Sequence, residues 1–259
     1  MHVAIAGSTG VLGSHLIRRV TCAGHIVTPI ARYHGVDLVT GRGLDAALDG
    51  VDVVIDASDP RPRGLADGEE LRSEVREAAE RLLEAAYVMG AYRLISVSVL
   101  GVEHAAFDAF APYLAKREKE AIAHAHDLPT TVVKASHFHE FALNPAGVHA
   151  FADQVLVQDM LLQPVAAGAV AAAITEMLEA DMMTEVIELA GPEEIRLPEL
   201  TRRVLDVHRD RRAVMPIAPL VRQMGTGVLL APDTALMVGP TVTEWLDIYA
   251  RDNAVCTPY

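Results

Sequence analysis

The first half of the chain alternates short apolar runs with stretches whose apolar residues recur at helical spacing. Val3 to Ala6 reads as a first strand; Leu12, Leu16, Ile17 and Val20 then keep the period of one helix face, and Gly24 stands where a helix ends. His25 to Ala31 predicts a second strand, Val36 to Val39 a brief third, and Leu44 to Leu48 a short helix. Val51 to Ala57 is almost uninterruptedly apolar, the pattern of a strand covered on both faces. The proline, glycine and charge of Ser58 to Gly68 predict an exposed loop, at the strand end where open α/β sheets place ligands. A long amphipathic helix from about Glu69 to Met89, a strand at Arg93 to Val99, a helix at Tyr113 to Ala125 and a strand at Thr130 to Lys134 continue the alternation. Such βαβ units build a parallel sheet. Past His137 the rhythm loosens into a strand near Val155, a helix from about Val165 to Leu178, a strand at Val186 to Ala190 and helices at Leu197 to Val207 and Thr243 to Tyr249.

Directly after the first strand comes Gly7-Ser8-Thr9-Gly10-Val11-Leu12-Gly13, opening a helix. Gly7 permits the tight turn, Gly10 lets the backbone approach a pyrophosphate, and Gly13 lets helix and strand pack closely. The amides at the helix start then face the anion, and Ser8 and Thr9 add hydroxyl donors. The same pattern without its flanking strand and helix is only a turn; with them it predicts a dinucleotide site. At the end of the second strand an acid would accept both ribose hydroxyls of NAD, but the chain has Arg32, whose guanidinium suits a 2′-phosphate. NADP(H) is therefore preferred, and NAD(H) is also admitted. Asp37 accepts from the adenine amino group or caps a turn; both readings stand. Ala57 and Ser58, ending the apolar strand, would border the same ligand. The expected architecture is an α/β fold: a Rossmann-type doubly wound parallel sheet over residues 1–136, and a small carboxyl-terminal α+β substrate lobe over 137–259, partly packed back on the sheet.

Composition narrows the partners. A formal charge of −13 repels polyanions, and the 22 basic residues form no long block that tracks a phosphate backbone, so nucleic acid is excluded. No run is long and apolar enough to span a bilayer, and the strand pattern from Val3 leaves no room for a secretory signal. Cys22 and Cys256, far apart, make neither a CxxC pair nor a disulfide framework, which points to a reducing compartment and a cytoplasmic protein. The partner is a small-molecule substrate; a homodimer is left open.

Further motifs give the chain a family likeness: DGVDVVIDAS at 49–58, SVSVLGVE at 96–103, KREKEAIAHAHDLPTTVVKASHFHEF at 116–141, QPVAAGAVAAA at 163–173 and ELAGPEEIRLPEL at 188–200. With the glycine loop, these resemble the atypical short-chain dehydrogenases/reductases of the NmrA-like NAD(P)-binding group. The resemblance implies that Lys116 holds nicotinamide ribose hydroxyls, that Ser98 orients a substrate oxygen, and that Ser136 and His137 run past the nicotinamide; His137 and His139 are candidates to donate to cofactor or substrate and to move a proton near neutral pH, against the alternative of packed or solvated histidines. In catalytic members the lysine also lowers the pKa of a tyrosine four residues earlier, which exchanges a proton while hydride moves. Here that position is Pro112. Tyr113 shares a helix face with Lys116 and supplies either a displaced phenol or an ordinary aromatic contact. The HxHE segment places His137 and His139 on a loop without a clear third and fourth ligand, so no metal is expected. The implied activity is NADPH-dependent reduction of a small carbonyl or quinone-type acceptor, with an NADP(H) sensor of the NmrA type as the alternative.

Overall fold

The structure is a computed structural model that describes residues 1–59 and 68–255, the side chains of 252–255 excepted. The expected loop at Ser58 to Gly68 lies largely outside the described residues, as does Cys256. In chain order the elements are β1 (His2–Ala6), α1 (Val11–Cys22), β2 (Ile26–Ile30), α2 (Leu44–Leu48), β3 (Val53–Asp56), α3 (Gly68–Val88), β4 (Arg93–Val99), α4 (Ala111–Ala125) and β5 (Thr130–Ala135). They continue with β6 (Val148–Ala150), β7 (Gln154–Gln158), β8 (Leu161–Leu162), α5 (Ala167–Glu179), β9 (Val186–Ala190), β10 (Ile195–Arg196), α6 (Leu197–Val207), β11 (Ala213–Ile217), β12 (Leu236–Met237) and α7 (Val242–Val255).

A seven-stranded sheet runs in the order β12-β9-β5-β4-β3-β1-β2. β1 pairs in parallel with β2 on one side and β3 on the other, so the strand order reverses beside β1. A crevice opens at the carboxyl ends of the strands at such a reversal. The third strand expected at Val36 to Val39 does not form. After β2 the chain takes a 3-10 turn at Arg32–His34 and a left-handed Gly35, and Asp37 Oδ1 then accepts from the amides of Val39 and Thr40 at 3.0 and 3.4 Å. A side chain that claims nearby amides takes them from any strand ladder. β2 is left as the sheet edge, where its Pro29 is tolerated.

The chain divides into two compact units, Met1–Lys134 with Val170–Glu188, and Ala135–Ala169 with Leu189–Tyr259. The first is centred on an apolar core that includes Ala4, Ala6, Val54, Leu82, Leu94 and Val132. Burying side chains of this size stabilises by roughly 1.5–3 kcal/mol each before entropy is counted. The second holds a three-stranded sheet, β11-β7-β6, and a core in which Leu200 and Val204 of α6 meet Val242 and Trp245 of α7. Among the described residues no helix is long and apolar enough to cross a membrane.

Candidate functional site: a dinucleotide cradle at the carboxyl ends of β1 and β3

Gly7 has φ +76° and its Cα faces the end of β3: a Cβ there would stand 2.4 Å from the Ala57 carbonyl oxygen and 2.8 Å from Ser58 Cα. A side chain at Gly13 would stand 2.1 Å from the Gly7 carbonyl oxygen. Both positions therefore require glycine, one by conformation and space, the other by space alone. Gly10 caps α1 with its amide bonded to the Gly7 carbonyl at 2.9 Å. No side chain caps this helix end and no acid stands in its first turn, which leaves its amides and the positive end of the dipole facing outward. Thr9, Gly10 and Val11 are exposed, whereas Leu12 is buried in the helix's inner face. The Ser8 hydroxyl is buried and donates to the Ile30 carbonyl at 3.1 Å, so it fastens the turn to β2. Arg32 is exposed just after β2, and among the described residues nothing engages its guanidinium. Asp37 is committed to the turn described above.

The opposite wall comes from α4. Pro112 lies in the first turn of this helix, where its missing N–H costs nothing. Tyr113 is buried between Phe107 and Phe110, with ring centroids 4.5 and 5.2 Å away. Desolvation pushes its phenol well above the ordinary tyrosine value, against the direction a phenolate requires. The charged run that follows is paired throughout. Lys116 Nζ meets Asp59 Oδ1 at 2.8 Å; Arg117 bonds Asp108 and the carbonyls of Val102 and His104; Glu118 accepts from Arg72 of α3. Lys119 Nζ meets Asp56 Oδ2 at 2.7 Å, with both side chains almost wholly buried. Glu120 accepts from the Ser98 hydroxyl and pairs with Lys134 at 3.2 Å. Its carboxylate and that of Glu103 outweigh burial and hold Lys134 above the ordinary lysine value. Ser98 sits near the carboxyl end of β4, buried, with its proton committed to Glu120.

Ser136 and His137 belong to the second unit. Among the described residues the buried Ser136 hydroxyl has no hydrogen-bond partner. His137 packs edge-on against Phe141 at 4.9 Å, and His139 lies fully buried under Trp245, also at 4.9 Å. Burial pulls both imidazoles down to about 4, so both are neutral near pH 7. Among the described residues no three His, Cys, Asp or Glu side chains converge on a metal position.

The structure thus brings Gly7, Gly10, Gly13, Ala57 and Ser58 together at one strand-end crevice, with Lys116 reaching the loop that leaves β3. Sequence reasoning passed over Asp56, Asp59, Lys119 and Glu120. The signal was present, because Tyr113, Lys116, Lys119 and Glu120 follow one helix face at spacings of three and four.

A parallel sheet whose strand order reverses beside a glycine turn is an architecture that dinucleotide-binding proteins use. The chain belongs to the NAD dependent epimerase/dehydratase family, whose model matches residues 3–138. Among curated proteins nothing matches. The fold is similar to UDP-N-acetylglucosamine 4-epimerase from Bacillus cereus, at TM-score 0.72 and 11% identity over 100% of this chain and 98% of that one. It is similar too to a short-chain dehydrogenase/reductase superfamily protein from Agrobacterium tumefaciens with bound NAD, at 0.71 and 14% over 98% of each chain. A third likeness is dTDP-4-dehydrorhamnose reductase from Bacillus anthracis in complex with NADP, at 0.68 and 12% over 97% and 99%.

Proposed function

We propose that the protein is an NADP(H)-dependent oxidoreductase acting on a small carbonyl or quinone-type acceptor. The observation that carries this reading is the Gly7 turn, closed against Ala57 and Ser58 and followed by an uncapped helix start. These residues fit a dinucleotide: the close turn that only glycine allows and the outward amides of the helix start are what a pyrophosphate needs. A bound nicotinamide supplies hydride exchange. The chain's own residues then have separate tasks. The amides of Val11, Leu12 and Gly13 hold the phosphates, Arg32 takes the 2′-phosphate as two parallel donors, and Lys116 donates to ribose hydroxyls. Ser98, its proton held by Glu120, offers lone pairs and orients a donor group of the ligand. Tyr113 delivers no proton, because its phenol is buried among aromatic rings and disfavoured as phenolate. A quinone-type acceptor suits this arrangement, since its reduced oxygens take protons from water without a positioned strong acid. The test is NADPH consumption by the purified protein against a panel of quinones and aldehydes; absence of turnover above the uncatalysed rate across the panel rejects the enzymatic reading.

The proline at position 112 and the burial of Tyr113 favour a second reading, an NADP(H)-responsive regulatory protein of the NmrA type. It predicts that NADP and NADPH bind with different affinities and differ in the protein assemblies they support, without turnover.

A further inference from the structure

Lys119 is a fully buried lysine on α4, one turn beyond Lys116, and its ammonium is used completely inside the protein. It meets Asp56 Oδ2 at 2.7 Å and reaches the main-chain carbonyls of Asp56 and Ser58 at 3.5 and 3.4 Å. The other carboxylate oxygen, Asp56 Oδ1, accepts from the Ser58 amide at 2.9 Å and from the Ser58 hydroxyl at 2.5 Å. One cation thus ties three acceptors of the segment that leaves β3, and its counter-ion ties that segment's next amide and hydroxyl.

The segment so fastened, Ala57 and Ser58, is the surface against which the Gly7 turn closes. Burial pulls the Lys119 ammonium down and would raise the Asp56 carboxyl, but at Asp56 the Lys119 charge and the Ser58 bonds outweigh it and hold the carboxyl below the ordinary value; the 2.7 Å contact is that of an ion pair. An ion pair taken out of water contributes little net stability compared with apolar packing, so a structural role alone accounts poorly for it. What such a pair does supply is a single arrangement of the groups it binds.

We propose that Lys119 is a positioning residue for the dinucleotide site: through Asp56 and Ser58 it sets the wall on which the Gly7 turn rests, and so the aim of the phosphate-binding amides. It touches no ligand itself. This inference rests on the dinucleotide reading for its ligand, but its mechanical part does not.

The experiment compares wild type, Lys119→Met and Lys119→Met/Asp56→Asn, the last removing the stranded charge so that the fold is preserved. Two quantities are read: amide hydrogen exchange at Ser58 and Gly10 without ligand, and the Kd for NADP+ by calorimetry at a temperature where each protein is folded by circular dichroism. Both variants are expected to exchange about tenfold faster at Ser58 and Gly10, with amides in the middle of β1 unchanged. Both are expected to bind NADP+ about tenfold more weakly, while the double variant regains the melting temperature that the single variant loses. A folded double variant with wild-type exchange and wild-type Kd overturns the proposal. Should wild type itself show no heat with NADP+, the dinucleotide reading fails, and the exchange measurement alone still decides whether Lys119 fixes this wall.

Discussion

The two sides of the candidate site are built differently. At the end of β1 the backbone itself is the functional group: Gly7 and Gly13 leave no room for a side chain, the helix start carries no cap, and exposed Arg32 is free to meet a ligand. On α4 and at the end of β4 the side chains that the family resemblance assigns to chemistry are engaged with the protein. Tyr113 is buried among phenylalanines, Ser98 donates to Glu120, and Lys116 pairs with Asp59. A binding cradle depends on main-chain geometry that few substitutions preserve, whereas a proton donor is one side chain that can be replaced without disturbing the fold. The cradle is thus set by the main chain, whereas the neighbouring wall is set by side chains already engaged with the protein.

The sharpest way to break this comparison is at Gly7. Gly7→Val places a β-branched side chain at φ +76° and 2.4 Å from a main-chain oxygen; it should cost about 3 kcal/mol of stability and more than about a hundredfold in NADP+ affinity. Denaturant titration and calorimetry read the two losses, and a variant that still binds as wild type would remove the cradle from the account.

The second effect is on stability against pH. His139 is neutral when folded, with its pKa pulled from 6.5 to about 4, whereas the unfolded chain protonates it near 6.5. Its contribution is therefore complete above pH 6.5 and is lost as pH falls towards 4, by up to about 3 kcal/mol. Because neither ring nitrogen has a hydrogen-bond partner among the described residues, His139→Leu should keep its stability at pH 7 and show a shallower fall between pH 6.5 and 4.5. Parallel acid limbs for the two proteins would contradict the burial argument.

Arg32→Ala comes third. It should weaken NADP+ about ten- to hundredfold, corresponding to loss of a charge-assisted contact of about 1.5–3 kcal/mol, and leave NAD+ nearly unchanged. Equal losses for both nucleotides would take the 2′-phosphate away from this residue. The smallest effect is expected at Tyr113. If it gives no proton, Tyr113→Phe changes the rate of NADPH oxidation by less than about threefold, where removal of a true general acid costs about a hundredfold or more.

Much of the first unit was legible because its periodicities are local. β4 and α3 fall where the apolar pattern puts them, and the glycine motif announces its turn through the close approach of Gly13 to the Gly7 carbonyl, six residues away. The missing strand at 36–39 was not legible in the same way: its β-rich residues lost to Asp37, whose side chain captured two amides that a ladder would have used. The short strands β6 and β11 escaped for the opposite reason. β6 owes its extension to antiparallel pairing with neighbouring β7, and β11, which contains Pro216, to parallel pairing with β7 across a long stretch of chain. The site's ionic wall was legible only in the helical spacing of its α4 residues, not in their partners. KREKE reads as a solvated run, and only the packing of α4 against the strand ends turns Lys119 inward to Asp56 and Glu120 towards Ser98.

The central claim is that the turn after β1 grips a dinucleotide and that Arg32 sorts its two forms. Calorimetric titration of the intact protein with NADP+ and NAD+ tests it directly. The account predicts measurable heat and a raised melting temperature with both, and tighter binding of NADP+. No heat and no thermal shift with either nucleotide at millimolar concentration would contradict it.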